Sequence, residues 1–273
     1  MGKSRHFVFL LLGICTILLF QNCSRDGGTI SYADSFPNSL PQYYFKSTQK
    51  VVVEVYYEPG AEPFVGTASN GNPYWNIVED NLNAIFQYRS QAPVMVVPKV
   101  LTDMTALPAQ NRSTWSGTDI MNLFIDHHQG IASKTEARFY IYFLKGNYYT
   151  KKSGVNTSVL GVSINGTPLI AMFKDVIKGT GNNPNGIVRR YIEQSSLVHE
   201  LGHGLGFVNN GVPMVTDHQD KDHGAHTTNQ DCVMFWQNEG EADLLNFIQH
   251  YMTTGNTVMW GQEVLADVQA YSE

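Results

Sequence analysis

The chain has few cysteines, few charged residues and no long apolar run, and each shortage excludes a class of protein. Of its 3 cysteines, Cys15 and Cys23 lie near the N-terminus, which leaves Cys232 without a partner for a disulfide in the mature domain. The 18 Lys and Arg residues are scattered and outnumbered by 24 Asp and Glu, so no nucleic-acid partner is indicated. No apolar run is long enough to span a bilayer, and no internal repeat is present.

The N-terminus predicts export and lipidation. A basic start at residues 1–5 precedes the apolar run of residues 7–20, which is typical of a secretory signal peptide. The run ends in Leu-Phe-Gln-Asn-Cys at residues 19–23, which resembles a bacterial lipobox, although Phe20 and Asn22 depart from its usual residues. We therefore expect Cys23 to be lipidated and to tether the protein to the cell envelope, at the outer membrane. A plain cleaved signal peptide or a membrane anchor is the alternative.

The domain organisation follows from this N-terminus. Residues 1–22 are predicted to be the signal peptide and residues 23–45 the lipidated cysteine with a flexible tether rich in Ser, Asp, Gly, Asn and Pro. Residues 46–273 then form one domain, divided into an upper subdomain at about 46–208 and a lower one at about 209–273. We expect this domain to be a monomer.

Hydrophobic periodicity predicts a mixed α+β fold. Strands are expected at 50–57, 94–98 (buried) and 137–144 (with Phe139, Ile141 and Phe143 facing inward), followed by a hairpin of 159–164 and 169–173 that turns at Asn165-Gly166. Helices are expected at 74–89, at 118–128 with Thr118 or Asp119 as its cap, at 239–252 and at 261–271.

The stretch from 193 to 207 contains the pattern His199-Glu200-x-x-His203 on a segment with helical apolar spacing. Positions i and i+4 of a helix lie on one face, so both imidazoles can reach one metal ion. Glu200 lies about 100° further round, beside the metal, where a general base for a water molecule belongs. Zinc is the metal that this pattern indicates, and catalytic zinc takes three protein ligands, so a third is needed.

These residues resemble the metzincin metalloproteases, whose pattern is His-Glu-x-x-His-x-x-Gly-x-x-His followed by a methionine turn. His199, Glu200, His203 and Gly206 match it, and Gly206 also suits the end of the helix. The position of the third ligand is occupied by Asn209, which departs from the pattern and whose neutral amide oxygen is a weak ligand for zinc.

A later segment resembles the archaemetzincins, which carry a third-ligand His, a Cys, four residues and Cys-x-Met. His226, Cys232 and Met234 fit that spacing, with Thr227 in place of the first Cys. The resemblance therefore implies that His226 is the third ligand, that residues 207–225 are an insertion and that Met234 lies in the methionine turn beneath the metal. Asn209 is the alternative third ligand, and His218 and His223 are two further candidates ranked behind it. Cys232 is expected to be a small buried residue near that turn.

A second class of zinc peptidase, the gluzincins, takes its third ligand from a Glu on a later helix. The segment 236–243 resembles that helix, with Glu239 as ligand and Asp243 as its partner. The same residues also read as a helix start, with Asn238 as N-cap and Glu241 completing a capping box.

Two other polar clusters contain residue types that bind metal ions. Asp217, Asp220 and Asp222 are hard ligands that could hold Ca²⁺ in the 217–223 loop, or they could belong to a solvated loop. Asp126-His127-His128 are adjacent on a helix and diverge, so we expect them to lie on the surface.

The resemblance implies a zinc-dependent endopeptidase with a metzincin-like fold: a mixed twisted sheet, two long helices above the cleft and a smaller helical C-terminal subdomain. Glu200 moves the proton of the attacking water, and no oxyanion side chain is evident, because Trp236 stands where some metzincins have Tyr. By the same resemblance, one strand of the 159–173 hairpin pairs with an extended peptide substrate, or it is an ordinary edge hairpin. The competing hypothesis is a non-catalytic, zinc-containing surface lipoprotein that binds a host or envelope component.

Overall fold

The computed structural model describes residues 40–164, 166–180, 186–239 and 241–273, and the side chains at 239 and 241–243 are not described. The predicted signal peptide, Cys23 and most of the predicted tether lie outside these ranges, as does Asn165 of the predicted turn. None of the helices in the described ranges combines the length and apolar character needed to cross a membrane.

The described chain is a mixed α and β structure built on one large sheet and one small sheet. Nine strands are formed: β1 (Lys50–Tyr57), β2 (Val94–Val96), β3 (Thr105–Ala106), β4 (Thr114–Trp115), β5 (Glu136–Leu144), β6 (Asn147–Thr150), β7 (Gly154–Asn156), β8 (Gly161–Ser163) and β9 (Leu169–Phe173). The helices are α1 (Asn76–Phe86), α2 (Gly117–His127), α3 (Lys174–Gly179), α4 (Ile187–Leu205), α5 (Glu241–Thr254) and α6 (Gln262–Ser272). Short helical segments occur at Leu40–Gln42, Tyr43–Ser47, Leu101–Asp103 and Trp236–Glu239.

The large sheet has the strand order β2-β1-β5-β9-β8, and β3 pairs with the far end of β1. Its pairs are parallel except for β8, which runs antiparallel to β9 and forms one edge of the sheet. The second sheet has the order β4-β6-β7, in which β6 and β7 form an antiparallel hairpin. This β6–β7 hairpin was not predicted from the sequence.

Apolar cores cover both faces of the large sheet. Alternate strand residues such as Phe139 and Met172 belong to the larger core, which also contains buried side chains of α1, α4, α5 and α6. The intervening residues, such as Tyr140 and Phe173, face a second core with α2. Each fully buried side chain of this kind stabilises the fold by about 1.5–3 kcal/mol. Because the larger core joins elements from both predicted subdomains, the division near residue 208 stays a prediction.

Two local predictions were wrong. The segment Val94–Val96 is an edge strand with Val94 65% exposed, because nothing in the described chain pairs with its outer side. The predicted inward face of strand β5 is confirmed, because Phe139, Ile141 and Phe143 all belong to the larger core, and the other face is buried as well, as is usual for a parallel strand with helices on each side. Helix α2 is capped by Ser116, whose hydroxyl accepts from the Asp119 N–H in a capping box, and not by Thr118 or Asp119.

Candidate metal centre

Helix α4 carries two of the predicted site residues and packs against the large sheet. Its apolar stripe of Ile192, Val198, Leu201 and Leu205 is completely buried. The helix ends at Gly206, whose φ of 85° is left-handed and whose N–H bonds to carbonyls of the last turn. The predicted stop at this glycine is therefore confirmed, and the helix ends two residues after His203, at Leu205.

Three imidazoles meet at the C-terminal half of this helix. The structure brings His199, His203 and His226 together, with one ring nitrogen of each within 4.8 Å of the others. The Nε2 atom of His199 lies 3.1 Å from Nε2 of His203 and 3.3 Å from Nε2 of His226. Tetrahedral zinc with Zn–N bonds of about 2.0–2.1 Å separates its nitrogen ligands by about 3.4 Å. The spacing of these donors therefore fits a single zinc ion.

The outer nitrogens of two of these rings fix their tautomers. Nδ1 of His199 lies 2.7 Å from the Val233 carbonyl oxygen, and Nδ1 of His226 lies 2.6 Å from the His223 carbonyl oxygen. A carbonyl can only accept a hydrogen bond, so Nδ1 carries the proton in both rings. Nε2, which faces the meeting point, is then the nitrogen that binds a metal in the neutral form of each ring. The donor set therefore fits zinc in chemistry as well as in spacing.

The segment from His226 to Asn238 carries the third imidazole and packs against helix α4 beside His199. Met234 is fully buried, and its sulfur packs so closely on Gly202 that a Cβ added there would collide with it. The Asn238 amide donates to the carbonyls of Cys232, at 3.0 Å, and of Val233, at 3.3 Å. The Val233 carbonyl also accepts the Nδ1–H of His199, so the Asn238 amide holds in place the acceptor that orients the His199 ring.

Cys232 is a buried free thiol that accepts a hydrogen bond of 3.1 Å from the Gly261 N–H. Burial raises the pKa of Cys232 to about 12, so the side chain is a neutral thiol at physiological pH. The predicted role as a small buried residue is confirmed.

Glu200 lies in a cleft next to the three imidazoles. The side chain is 6% exposed and borders a cavity of about 270 Å³ together with His199, His203, Ser196 and the edge strand β8. Its Cγ lies 2.9 Å from the position that a Cβ on Gly161 would occupy. Glu200 is thus held between helix α4 and the edge of the sheet, one residue beyond the first imidazole.

Other predicted metal ligands have different partners. Asn209 is exposed, and its amide donates to Gln219. His218 is buried between the Thr227 hydroxyl and the Asp267 carboxylate. His223 bonds Asp220 and stacks on Trp236 with ring centroids 3.9 Å apart. The side chain of Glu239 lies outside the described residues, so its proposed role stays a prediction.

The structure gives no support to the calcium site in the 217–223 loop. Asp217 pairs with Lys221, and Asp220 pairs with His223. In the part of the chain that the structure describes, only the His199, His203 and His226 group brings three potential ligands close enough to hold a metal ion. His127 and His128 do not belong to a group of potential metal ligands in the described residues.

Sequence reasoning missed a buried ion pair that anchors the N-terminal half of helix α4. Glu193 on α4 pairs with Lys174, and both side chains are completely buried. The Glu193 carboxylate also accepts from the Phe64 N–H at 2.6 Å, and the Lys174 ammonium lies 3.2 Å from the centre of the Phe64 ring. Burial raises the pKa of Glu193 and lowers that of Lys174, because both charged forms lose solvation. Charged residues inside an apolar helical stripe were the available signal.

Tyr148 and Gly161 were also missed, although both border the cavity beside Glu200. The glycine before a run of two tyrosines, Gly146-Asn147-Tyr148-Tyr149, was the sequence signal for the start of a hairpin strand. Nothing in the sequence indicated that this strand reaches the cleft.

Comparisons with known proteins give one structural match. No family model matches the chain, and no curated protein matches its sequence. The crystal structure of an archaemetzincin from Methanopyrus kandleri is similar over 82% of this chain and 96% of that chain, with 11% sequence identity and a TM-score of 0.45. The function of this chain is therefore inferred from its own site.

Proposed function

We propose that this protein is a zinc-dependent endopeptidase whose ion is held by His199, His203 and His226. The observation that supports it is the convergence of three Nε2 atoms beside the carboxylate of Glu200, in a cleft bordered by an open strand edge. Backbone carbonyls accept the Nδ1–H of two of these imidazoles, so Nε2 is the nitrogen that each offers to a metal. This combination of three imidazole donors with a separate carboxylate is what metal-assisted hydrolysis requires.

The protein's own groups have distinct tasks in this reaction. A zinc ion, when bound, acts as a Lewis acid that activates a water molecule and polarises a carbonyl group. The Glu200 carboxylate accepts the proton of the attacking water and transfers it to the nitrogen of the leaving amine. Its low exposure keeps bulk water away from the carboxylate during that transfer.

The open edge of strand β8 can pair with the backbone of an extended peptide. Leu160 accepts from the Phe173 N–H and Ile164 donates to the Leu169 carbonyl, so every second residue of this strand bonds to β9. By this alternation, Gly161 and Ser163 direct their N–H and C=O groups to the open edge. A substrate backbone pairing there lies across the cavity that contains Glu200, which favours cleavage within a chain over removal of a terminal residue.

We also propose that the enzyme is exported and anchored to the bacterial cell envelope through lipidated Cys23. The support for this is the N-terminal sequence alone. Metabolic labelling with an alkyne fatty acid should mark the wild-type protein and leave Cys23→Ser unlabelled and released from membranes. Equal labelling of the two proteins contradicts the proposed anchor.

The enzyme proposal is tested by measuring zinc content and peptide cleavage in parallel. We expect wild-type protein to bind one zinc ion and cleave casein, and Glu200→Ala to keep its zinc while losing cleavage by at least about 100-fold. His226→Ala should lose zinc, whereas His250→Ala, which removes an exposed histidine, should match the wild type. Zinc binding without cleavage by the wild type favours the non-catalytic surface lipoprotein.

The same assay distinguishes the possible third ligands. Asn209→Ala and Glu239→Ala should leave the zinc content at the wild-type level. Zinc loss in Glu239→Ala with retention in His226→Ala supports the gluzincin-type alternative and contradicts the ligand set proposed above.

A further inference from the structure

The β6–β7 hairpin stands next to the cleft and presents two adjacent tyrosines in opposite directions. Tyr149 is 38% exposed. Tyr148 is half-buried, packs 5.9 Å from the ring centre of Phe173 and borders the same cavity as Glu200. The two residues therefore differ in their access to the cleft although they share a strand and a residue type.

Edge strand β8 has two faces, and Tyr148 lies on the face away from helix α4. A Cβ on Gly161 would contact Glu200, and Ser163 lies 3.7 Å from the position of a Cβ on Gly204, so these two residues face the helix. The intervening Val162 faces the other way and packs on the second core, as Tyr148 does.

A peptide paired with the open edge of β8 continues this alternation. Its side chains point in turn towards the imidazoles and towards the hairpin. On the hairpin side the cavity is bordered by Tyr148, Val159 and Val162, and none of these carries a charge. Burial and, to a lesser extent, the charge of Glu200 raise the pKa of Tyr148, so its hydroxyl stays neutral.

We infer that Tyr148 is a specificity-determining residue: together with Val159 and Val162 it forms a wall that selects peptides with an apolar side chain at one position near the cleaved bond. This inference rests on the proposed function, because it needs a peptide along β8. The ring is the selecting group, since an aromatic face buries a large apolar area at a small cost in conformational entropy. An acidic side chain at that position loses solvation against the wall, where Tyr148, Val159 and Val162 offer no positive charge to compensate it.

The test uses internally quenched peptides in which each position around the cleaved bond carries Leu, Phe or Asp in turn. We expect the zinc-loaded wild type to prefer Leu or Phe over Asp at one position by at least tenfold in kcat/KM. Tyr148→Phe should keep this preference. Tyr148→Ser should reduce it about tenfold, and Tyr148→Lys should reverse it in favour of Asp. Tyr149→Lys is the matched control and should behave as the wild type.

A second readout is independent of turnover. Binding of the same peptides to the Glu200→Ala variant and to Glu200→Ala combined with Tyr148→Lys, measured by fluorescence anisotropy, should show the same preference and the same reversal in Kd. Selectivity that stays within twofold of the wild type in both Tyr148→Ser and Tyr148→Lys overturns the inference and leaves the proposed function intact. A wild type that cleaves none of the peptides but binds them with this preference overturns the proposed hydrolysis and supports the wall.

Discussion

A methyl group added at Gly161 should displace the Glu200 carboxylate while leaving the three imidazoles in place. The ideal Cβ at this position lies 2.9 Å from Cγ of Glu200 and 2.8 Å from the sulfur of Met172. Carbon atoms in contact prefer a separation of about 3.5–4.0 Å, so Glu200 must move by roughly 0.6–1 Å. The sulfur is the end of a flexible chain and can yield, but Glu200 is fixed to the helix that carries two of the imidazoles.

The expected effect of Gly161→Ala is a loss of about 10- to 100-fold in kcat/KM. A shift of about 1 Å in a reacting group can cost about 100-fold, and each factor of ten corresponds to about 1.4 kcal/mol of barrier. The backbone of Gly161 is not left-handed, so alanine is compatible with the strand, and the N–H that faces the open edge is retained. Stability and zinc content should therefore stay near wild-type values.

The assay combines cleavage of a quenched peptide, zinc content and thermal unfolding. Gly179→Ala is the matched control, because a Cβ there meets nothing within 4 Å and it should leave all three measurements unchanged. Wild-type kcat/KM in Gly161→Ala would refute the idea that the missing side chain makes room for Glu200. Loss of zinc together with activity would refute the claim that only the carboxylate is affected.

Three further predictions concern the supports of the site. Removing one partner of the buried ion pair, by Lys174→Ala or Glu193→Ala, should lower the free energy of unfolding by about 3–5 kcal/mol in urea denaturation. The double variant Lys174→Met with Glu193→Leu should lose much less stability, because it leaves no buried charge without its partner. Equal losses in the single and double variants contradict this account. His218→Ala should weaken zinc binding about 10-fold or more in a chelator competition, because it removes the ring that holds Thr227 next to His226. An unchanged zinc affinity shows that His218 does not help to position the third imidazole. Cys232 should react with a thiol reagent only after unfolding, since burial keeps it protonated, and fast labelling of folded protein disproves that account.

The sequence predicted those parts of the site that depend on local periodicity. The positions of His199, Glu200 and His203 follow from the helical period and from the glycine that ends the helix. The resemblance to a motif with an inserted loop predicts that His226 lies near the other two imidazoles. In the structure this proximity depends on non-local contacts, such as the bonds from Asp220 N–H to His226 O and from Thr227 N–H to Met234 O, which no periodicity encodes.

The parts that the sequence did not predict depend on which surfaces the tertiary fold covers. An apolar run of three valine and methionine residues has the same pattern in a buried strand and in an edge strand, so the exposure of Val94 was not predictable. Tyr148 lies on a short strand whose partners are two other short strands, β4 and β7. Its place beside Glu200 arises only when this small sheet packs next to the edge of the large one, a relation between distant segments.

The segment that contains the third imidazole contacts helix α4 at three separate points. His226 faces His199, the Val233 carbonyl accepts from the same ring, and Met234 packs on Gly202. A slip of one residue in this segment would turn the Val233 carbonyl away from His199 and the Met234 sulfur away from the only residue type that leaves room for it. The register that satisfies these two contacts is the same one that brings the third imidazole to the other two. We therefore expect Gly202→Ala to disturb zinc binding and the packing of Met234 together, although residue 202 contributes no ligand.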